Sequence, residues 1–583
     1  MSDQSDFELP QRTESADEEP RARSVQCAPI ATAILNAAEA PFGKVVPLGH
    51  KGGTYFFISA AGEFVSLQSG PLCSYPGLTS LFGGDLTSLA ESFPSRDRRH
   101  NGMAFSEREA GAALIRACVE KGIFDSTNWV RGRGVWRGPR DSVIVHCGDA
   151  LLVDGHWRGV GLELDRAIYA AAPHIARPAD QPADAELARE LRAVIAASWQ
   201  FAQESAADVI VGFIGQAFLG AYPTWRAHVL ITGERGAGKT SLASLVCAAV
   251  GDLAGLSNDA SAAGLRQDQT SESRAMILDE AEASSGGPSV QTIIELIRRM
   301  SSGAGAVSVR GTIEGNAKRY LVVGSAFMAA INPPNLKPQD RSRITEIELR
   351  KLVSGDAHPD VVTATERAKE TSSALWARAL AGIGRYEANL EVWKVVLREH
   401  GCDPRQAEQP AALLAAYCML VEDEPITETV AKVELSRYAW MIQTATENDD
   451  ESSPRECLNY LLGSVIDVGR DSDRKTIGQL LGDVERDPSL SGSARKALER
   501  HGIRPADRGS DGFIAGFMVA NKNPNLRRIF AGTDWASDGW GRELKRLLGA
   551  GAYKNPVSIA NVQSRVTFVP HTYLSRLTDD ESA

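Results

Sequence analysis

The stretch that decides the fold is AHVLITGERGAGKTSLASLVCAAV, residues Ala227–Val250. An apolar run begins at His228, a glycine-rich segment follows, and a long apolar-periodic segment without a helix breaker begins at Ser241. This order predicts a strand, a loop and a helix, with the pattern G-x-x-x-x-G-K-[ST] at the junction. The sequence therefore predicts an α/β core built around a phosphate-binding loop (P-loop).

Each part of the loop has a predicted chemical role. Glycines let successive backbone N–H groups turn toward phosphate oxygens, and the helix N-terminus adds partial positive charge. Lys239 is expected to reach the β- and γ-phosphates, and the Thr240 hydroxyl to hold Mg²⁺. The alternative, a glycine-rich turn, leaves Lys239 unexplained. The predicted nucleotide-binding residues are Gly233, Glu234, Arg235, Gly236, Ala237, Gly238, Lys239, Thr240 and Ser241.

A second apolar strand ends in two acidic residues. It begins at Arg274 and runs into Asp279 and Glu280, where a Walker B strand is expected. Asp279 would hold the Mg²⁺ shell and Glu280 would polarise the attacking water. The acidic pair favours ATP hydrolysis over a GTPase or a small-molecule kinase. The alternative is a strand that ends in surface carboxylates.

A third apolar run, Tyr320–Asn332, predicts one buried strand that ends at a polar residue. Asn332 is expected to act as a sensor that hydrogen-bonds the γ-phosphate or the lytic water. Arg341 and Arg343 follow, ahead of another strand, Ile344–Leu349. One of these arginines is predicted to serve as a finger for a neighbouring subunit's ATP, and the alternative is a surface salt bridge.

Alternating β-forming residues flank a Gly-Asn turn between the second and third strands, which predicts a hairpin over Val307–Tyr320. Its basic residues, Arg310, Lys318 and Arg319, are predicted to contact DNA phosphates without sequence preference. This segment resembles the DNA-gripping hairpin of superfamily-3 helicases. The alternative is a solvated hairpin face.

The order of these motifs resembles superfamily-3-like AAA+ ATPases, and more narrowly the helicase half of phage- and prophage-encoded primase–helicases. The resemblance implies a catalytic set of Lys239, Glu280, Asn332, Arg341 and Arg343, with Thr240 and Asp279 at the metal. It also implies ATP and Mg²⁺ as cofactors, single-stranded or forked DNA as partner, and a homo-oligomeric ring, expected to be a hexamer. No primase or Toprim pattern precedes this region, so we expect any primase to be a separate protein.

Composition sets outer bounds. The chain has 583 residues, 43% apolar and 23% charged, with a net charge of −11. A wholly basic nucleic-acid coat is excluded, so DNA binding must rest on local basic surfaces. Eight cysteines without a C-x-x-C pair favour reduced thiols over a zinc site. The acidic N-terminus is not a signal peptide, and the apolar run Val209–Trp225 is too short to span a membrane, so we expect a cytoplasmic protein.

Six segments are predicted from composition shifts and linkers. They are a disordered acidic tail (1–25), an α+β accessory domain (26–177), a helical connector (183–225), the AAA+ core (226–351), a helical lid (357–448) and a winged-helix-like C-terminal domain (454–583). The predicted function is an ATP-dependent DNA helicase or translocase that serves replication of a phage, prophage or plasmid. Two alternatives stay open: an AAA+ ATPase that remodels a DNA or protein partner without unwinding, and a non-replicative P-loop ATPase in defence or packaging.

Overall fold

A computed structural model describes most of the chain. The described residues are 42–95, 105–257, 260–279, 290–303, 305–311, 317–330, 336, 338–351, 360–442, 453–468, 474–486, 491–507, 514–533, 535–553 and 555–574. The predicted tail and two predicted catalytic residues, Glu280 and Asn332, lie outside them.

The described part of the chain contains the following strands and helices. The strands are β1 Val46–Lys51, β2 Thr54–Ile58, β3 Phe64–Gln68, β4 Val130–Arg131, β5 Gly134–Arg137, β6 Val143–His146, β7 Ala150–Val153, β8 His156–Gly159, β9 Leu162–Leu164, β10 Ala167–Tyr169, β11 Gln200–Phe201, β12 His228–Gly233, β13 Ala254–Ser257, β14 Ala275–Leu278, β15 Ala306–Gly311, β16 Ala317–Val322, β17 Ala326–Ala329, β18 Ile344–Arg350, β19 Val465–Asp467, β20 Arg474–Thr476, β21 Ile503–Pro505, β22 Gly516–Ala520, β23 Gly551–Ala552, β24 Val557–Ile559, β25 Val562–Ser564 and β26 Val566–Pro570. The helices are α1 Ser69–Leu72, α2 Tyr75–Leu81, α3 Thr87–Ser92, α4 Glu107–Lys121, α5 Ser126–Trp129, α6 Ala185–Ser198, α7 Ala206–Leu219, α8 Lys239–Val250, α9 Ala262–Asp268, α10 Val290–Met300, α11 Pro338–Arg341, α12 Val361–Ala381, α13 Ile383–Glu399, α14 Pro404–Val421, α15 Glu428–Glu434, α16 Ser453–Gly463, α17 Ile477–Arg486, α18 Ser491–Arg500, α19 Pro524–Ile529 and α20 Trp540–Glu543.

The chain divides into two compact units. Met1–Phe124 with Gly161–Ile168 forms the first, and Asp125–Val160 with Tyr169–Ala583 forms the second. The division falls inside the range 26–177 that the sequence assigns to one accessory domain, and the predicted domain boundaries stay predictions.

The first unit contains an antiparallel sheet of order β1-β2-β3 and the helix α4. Helix α4 occupies Glu107–Lys121. It begins where the Ser106 hydroxyl accepts the Glu109 N–H, and it ends at Gly122, whose φ of 88° a side chain would disfavour. Capping residues at both ends therefore define the bounds of α4.

The second unit is organised around a six-stranded sheet of order β11-β18-β12-β17-β14-β13. Neighbouring strands are parallel from β18 to β13, and the edge strand β11 is antiparallel to β18. Strand β12 lies in the interior of the sheet and is buried from His228 to Thr232, as a continuous apolar run in a parallel sheet requires. The predicted strand, loop and helix around the P-loop motif are confirmed.

Helices cover this sheet and join its core. Every residue of α7 is buried, and α7 packs against α14, α6, α8 and β12. Gln216 is a buried polar residue of α7, and its side-chain amide donates to the Tyr386 hydroxyl at 2.7 Å and to the Ala412 carbonyl. Among the described residues, no helix combines the length and the apolar character that a membrane crossing needs.

The run Tyr320–Asn332 is not one strand, and this prediction is wrong. The run divides between β16, which pairs with β15 in the hairpin, and β17, which pairs with β12 and β14 in the core sheet. Gly324 separates the two strands with a φ of 137°, and a Cβ there would lie 2.3 Å from the Arg274 carbonyl oxygen. The close approach of the Gly324 and Arg274 backbones interrupts the strand, and a hydropathy pattern does not indicate such a contact.

The residues from Ser453 onward build a hydrophobic core of their own. They contain an antiparallel sheet of order β21-β22-β26-β23, the helices α16, α17 and α18, and the hairpin β24-β25. The winged-helix-like assignment of this region stays a prediction.

Candidate nucleotide-binding site

The P-loop begins at the carboxyl end of β12, between β17 and β18. Gly233 pairs with Leu349 of β18 and has a φ of 146°. A Cβ on Gly233 would lie 2.4 Å from the Leu349 carbonyl oxygen. The first glycine of the motif is therefore required by the contact between two strands, because any side chain would separate them.

Lys239 folds into the hollow of this loop. Its Nζ donates to the Gly233 carbonyl at 2.6 Å and to the Glu234 carbonyl at 2.9 Å, and the residue is only 8% exposed. A buried ammonium that is held by loop carbonyls lies where the motif needs a charge to meet phosphate oxygens. Glu234 itself is exposed and its carboxylate pairs with Lys351 at 3.3 Å.

Helix α8 starts at Lys239, immediately after Gly238, which adopts the left-handed conformation with φ 87° and ψ 20°. A glycine has no side chain that could cap the first turn, and the partial positive charge of a helix N-terminus favours an anion. Thr240 and Ser241 are exposed at this end, while Leu242 and Leu245 are buried. The first turn therefore presents N–H groups and two hydroxyls on the solvent side of the loop.

The predicted Walker B strand is β14, and all four of its residues are buried. Leu278 pairs with Met328 of β17, and Met328 pairs with Leu230 of β12, so the three strands are in register. Asp279 comes directly after β14 at the same edge of the sheet as the P-loop, and it is 9% exposed. Its N–H donates to the Ser257 carbonyl of β13 at 3.0 Å.

The oxygen donors at this edge fit a hard divalent cation. Carboxylate, hydroxyl and water oxygens are the ligands that Mg²⁺ prefers, and Asp279 and Thr240 offer the first two. The hydrogen bond from the Ala330 N–H to the Ile231 carbonyl, 3.0 Å long, holds the end of β17 beside β12. The predicted sensor Asn332 and the predicted base Glu280 follow these strand ends but lie outside the described residues.

Arg341 and Arg343 lie at the opposite edge of the sheet. Arg341 ends α11, and Arg343 precedes β18, whose first residue pairs with His228 at the start of β12. Because a parallel strand rises about 3.3 Å per residue, this edge is about 16 Å from Gly233. That distance exceeds the reach of an arginine side chain, so Arg343 does not meet the P-loop of its own chain.

Positive charge collects around Arg343. Burial lowers the pKa of Arg343, and the neighbouring guanidinium groups of Arg405 and Arg298 lower it further, against the opposing effect of Asp340. Arg298 pairs with the fully buried Asp340 at 3.2 Å. Arg298 of α10, Arg405 of α14 and Arg343 ahead of β18 thus place three guanidinium groups close together, with Asp340 of α11 as their buried counter-charge.

The predicted hairpin is confirmed as an antiparallel pair of β15 and β16 that extends from Ala306↔Val322 to Gly311↔Ala317. Arg310 is directly opposite Lys318, whereas Arg319 is opposite Val309. Adjacent residues of a strand lie on opposite faces, so the basic positions 318 and 319 do not share one face. Arg319 is exposed beside Val309, which is itself 55% exposed.

A second basic segment, from Val130 to Arg137, has an internal structural role. The guanidinium group of Arg131 lies 5.0 Å from the ring centroid of Trp136, and Arg133 pairs with Glu272 at 3.0 Å. The guanidinium group of Arg137 lies 4.3 Å from the ring centroid of Tyr222. All three arginine side chains therefore have partners within the protein, and β5 pairs with β6 rather than with β4.

Sequence reasoning missed two side chains at the amino end of β12. Arg226 is 1% exposed and donates to the carbonyls of Pro223, Met300 and Gly303 at 2.7–2.8 Å. Burial lowers its pKa to about 10. These bonds tie the start of the P-loop strand to the connection between α10 and the hairpin, and only the tertiary structure reveals them.

His228 is the second of these side chains. Its Nδ1 accepts the Ala326 N–H at 3.0 Å, so we assign the ring proton to Nε2, which lies 3.1 Å from the Ser301 hydroxyl. Burial lowers the pKa of His228 to about 3, and the charges of Arg226 and Arg343 act in the same direction. The imidazole is therefore neutral and serves as a structural link between β12, β17 and the end of α10.

Comparison with known proteins adds little to this description. No protein-family model matches the chain, and no curated protein matches it. A solved structure described as "SCCmec type IV Cch - active helicase" is similar at 11% identity and a TM-score of 0.45, over 91% of this chain and 95% of that one. An apo structure of the NrS-1 C-terminal region is similar at 12% identity and a TM-score of 0.34, over 90% of this chain and 97% of that one. These values are too low to carry an argument about fold or function.

Among the described residues, no group of three or more His, Cys, Asp or Glu side chains is arranged to hold a metal ion. Within the described residues, the candidate site consists of the P-loop, the start of α8 and Asp279. The predicted site residues Glu280 and Asn332 lie outside the described ranges.

Proposed function

We propose that this chain hydrolyses ATP at the P-loop. The observation that carries the proposal is the position of the Lys239 Nζ, buried in the hollow of the loop at the uncapped start of α8. Asp279 lies at the same edge of the sheet, two strands from β12. When Mg²⁺ is bound, it neutralises charge on the phosphate oxygens. Gly233–Ser241 would bind the nucleotide, and Thr240 and Asp279 would hold the metal.

The test uses two lysines close to the same loop. Lys239→Ala should abolish ATP hydrolysis and weaken ATP binding, because it removes the ammonium from the loop. Lys351→Ala is the matched control, since Lys351 pairs with Glu234 of the loop but is 63% exposed. Hydrolysis at the wild-type rate by Lys239→Ala would refute the assignment.

We propose that Glu280 is the general base and Asp279 a metal ligand. Glu280→Gln should retain ATP binding and stop hydrolysis, because the amide has the size of the carboxylate but cannot accept the proton of water. Asp279→Ala should lose Mg²⁺-dependent binding instead. Normal ATP turnover by Glu280→Gln would show that another residue is the general base, and Glu282 would be tested next. We assign the sensor role to Asn332 on its place after β17.

We propose that Arg341 or Arg343 acts on the nucleotide of a neighbouring chain in a ring, with a hexamer as the expected assembly. The separation of about 16 Å between the start of β18, next to Arg343, and Gly233 supports action between chains for Arg343. Arg343→Ala, or failing that Arg341→Ala, should leave ATP binding intact and slow hydrolysis by about a thousandfold, as loss of an arginine finger does.

A mixing experiment tests this arrangement. Arg343→Ala and Lys239→Ala chains are each expected to be inactive, but a mixed ring contains some interfaces with an intact loop on one side and an intact finger on the other. Partial recovery of ATPase activity supports action between chains. No recovery from chains that are shown to co-assemble would contradict it.

We propose further that ATP hydrolysis drives movement along single-stranded or forked DNA. The hairpin β15-β16 supports this proposal, because its backbone register brings Arg310 and Lys318 opposite one another near the turn and Arg319 is exposed. The motif order, with its resemblance to the helicase half of phage primase–helicases, favours a role in replicating a phage, prophage or plasmid. In that setting the protein would be cytoplasmic and work with a separate primase.

A forked DNA substrate separates this function from the alternatives. A helicase should displace a strand from the fork with ATP and Mg²⁺, and its ATPase rate should rise with DNA. ATPase stimulation without strand displacement would favour an ATPase that remodels a DNA partner. A DNA-independent ATPase rate would favour a non-replicative role.

A further inference from the structure

Trp199 lies beside the P-loop because it directly precedes β11, the edge strand of the core sheet. It follows the last residue of α6 in an extended conformation, with φ −130° and ψ 144°. Two residues later Phe201 of β11 pairs with Leu349, and Leu349 also pairs with Gly233 at the start of the loop. The row Phe201–Leu349–Gly233 therefore fixes the position of Trp199 beside the loop.

The Trp199 indole is in direct contact with the last glycine of the motif. Its Nε1 donates to the Gly238 carbonyl at 2.9 Å, and the residue is 3% exposed. A Cβ on Gly238 would lie 2.7 Å from the same Nε1 atom. The indole edge thus occupies the space that any side chain at position 238 would need.

This hydrogen bond acts on the peptide that opens α8. The Gly238 carbonyl also accepts the Leu242 N–H at 3.0 Å, so two donors share its two lone pairs. In a trans peptide the N–H points away from the C=O, so fixing the Gly238 oxygen also fixes the Lys239 N–H in the opposite direction. That N–H belongs to the first turn of α8, the end of a helix at which phosphate groups bind. Two donors on the oxygen also polarise the peptide and strengthen its N–H as a donor.

We propose that Trp199 is a positioning residue of the nucleotide loop, which orients the Gly238–Lys239 peptide so that its N–H faces the bound phosphate. The inference rests on the proposed nucleotide binding. The proposal also gives a role to the connector ahead of the core, because Trp199, which lies between α6 and β11, donates to the Gly238 carbonyl from outside the P-loop motif.

The test removes the indole N–H and retains an aromatic ring. Trp199→Phe should weaken ATP binding about fivefold, the equivalent of one hydrogen bond. Trp540→Phe is the matched control, because Trp540 is also fully buried and its Nε1 donates to the Ala520 carbonyl at 2.9 Å, in the separate C-terminal core. The control should bind ATP like the wild type.

Intrinsic fluorescence tests whether the Trp199 indole, which contacts Gly238, responds to bound nucleotide. If Trp199 reports on the loop, the fluorescence change that MgATP causes in the wild type should be lost in Trp199→Phe and retained in Trp540→Phe. Affinity of Trp199→Phe within twofold of the wild type would overturn the proposal, as would equal weakening in both variants.

Two further arms complete the design. If Trp199→Phe does not fold, Trp199→Met replaces it with the same expected outcomes, since methionine fills irregular space and lacks a strong donor. Lys239→Ala separates the proposed ATP hydrolysis from the proposed role of Trp199. The proposed function is refuted if the wild type does not bind ATP, or if Lys239→Ala hydrolyses ATP at the normal rate. A wild type that binds ATP and a Trp199→Phe variant that behaves like it refute only the role of Trp199.

Discussion

Replacing Gly233 by alanine should destabilise the second compact unit more than replacing Gly236, although both glycines have positive φ. The values are 146° for Gly233 and 85° for Gly236. A Cβ at Gly233 would lie 2.4 Å from the Leu349 carbonyl oxygen, whereas a Cβ at Gly236 would meet nothing within 4 Å. The two positions therefore share the backbone cost and differ in the steric contact.

The magnitudes follow from this difference. Alanine in a left-handed conformation costs about 1–2 kcal/mol, and this cost applies to both variants. The contact with Leu349 adds the cost of overpacking, about 1–3 kcal/mol, because β12 and β18 must separate. With about 2–4 °C per kcal/mol for a domain of this kind, Gly233→Ala should unfold about 2–12 °C below Gly236→Ala.

Thermal unfolding without nucleotide is the appropriate assay, because ligand contacts of the added methyl group then do not contribute. Both variants are compared with the wild type by calorimetry and by circular dichroism under the same conditions. An unfolding temperature for Gly236→Ala that equals or falls below that of Gly233→Ala would refute the steric reasoning.

Three further predictions concern other contacts of the structure. Asp208 is fully buried and pairs with Arg192 at 2.7 Å and with Arg437 at 2.8 Å. Asp208→Ala should lower the free energy of unfolding by about 2–3 kcal/mol, less than for a fully buried pair because both arginines are partly exposed. A loss below about 1 kcal/mol in denaturant titration would contradict this prediction. The folded pKa of His228, about 3, lies below its unfolded value of 6.5, so the unfolded chain binds more protons between these values and stability falls as pH falls from 6.5 toward 3. His228→Asn should reduce this slope by as much as about 1.4 kcal/mol per pH unit, measured as the free energy of unfolding against pH, and an unchanged slope would argue against a buried neutral imidazole. Arg319→Ala should weaken single-stranded DNA binding and reduce its salt dependence by about one phosphate contact, whereas the exposed Arg140 offers a control whose replacement should do neither.

Local sequence signals predicted the elements whose structure depends on local physics. The strand, loop and helix around Lys239 follow from an apolar run, a glycine-rich turn and a helical period, and all three are present. The hairpin β15-β16 follows from the alternation of β-forming residues. In each case the residues that decide the conformation are close together in the chain.

Contacts between distant segments explain what the sequence could not predict. The run Tyr320–Asn332 reads as one strand because hydropathy does not record the close approach of Gly324 to Arg274. The edge strand β11 has only two residues and lies in a segment that reads as helical, so no periodicity identifies it. The bonds from Arg226 to Met300 and Gly303 likewise join residues that are far apart in sequence.

The sequence by itself determined that this chain contains a P-loop α/β core and which residue types line the loop, because the motif's glycines, Lys239 and the adjoining apolar periods act over a few residues. Only the tertiary structure decided how these parts meet. The parallel register brings Asp279 to the same edge as the loop, about 16 Å from the edge that carries Arg343. It also brings Trp199 against Gly238, a contact between residues 39 apart in the chain. Strand order and register arise from packing across the whole sheet, and no short stretch of sequence encodes them.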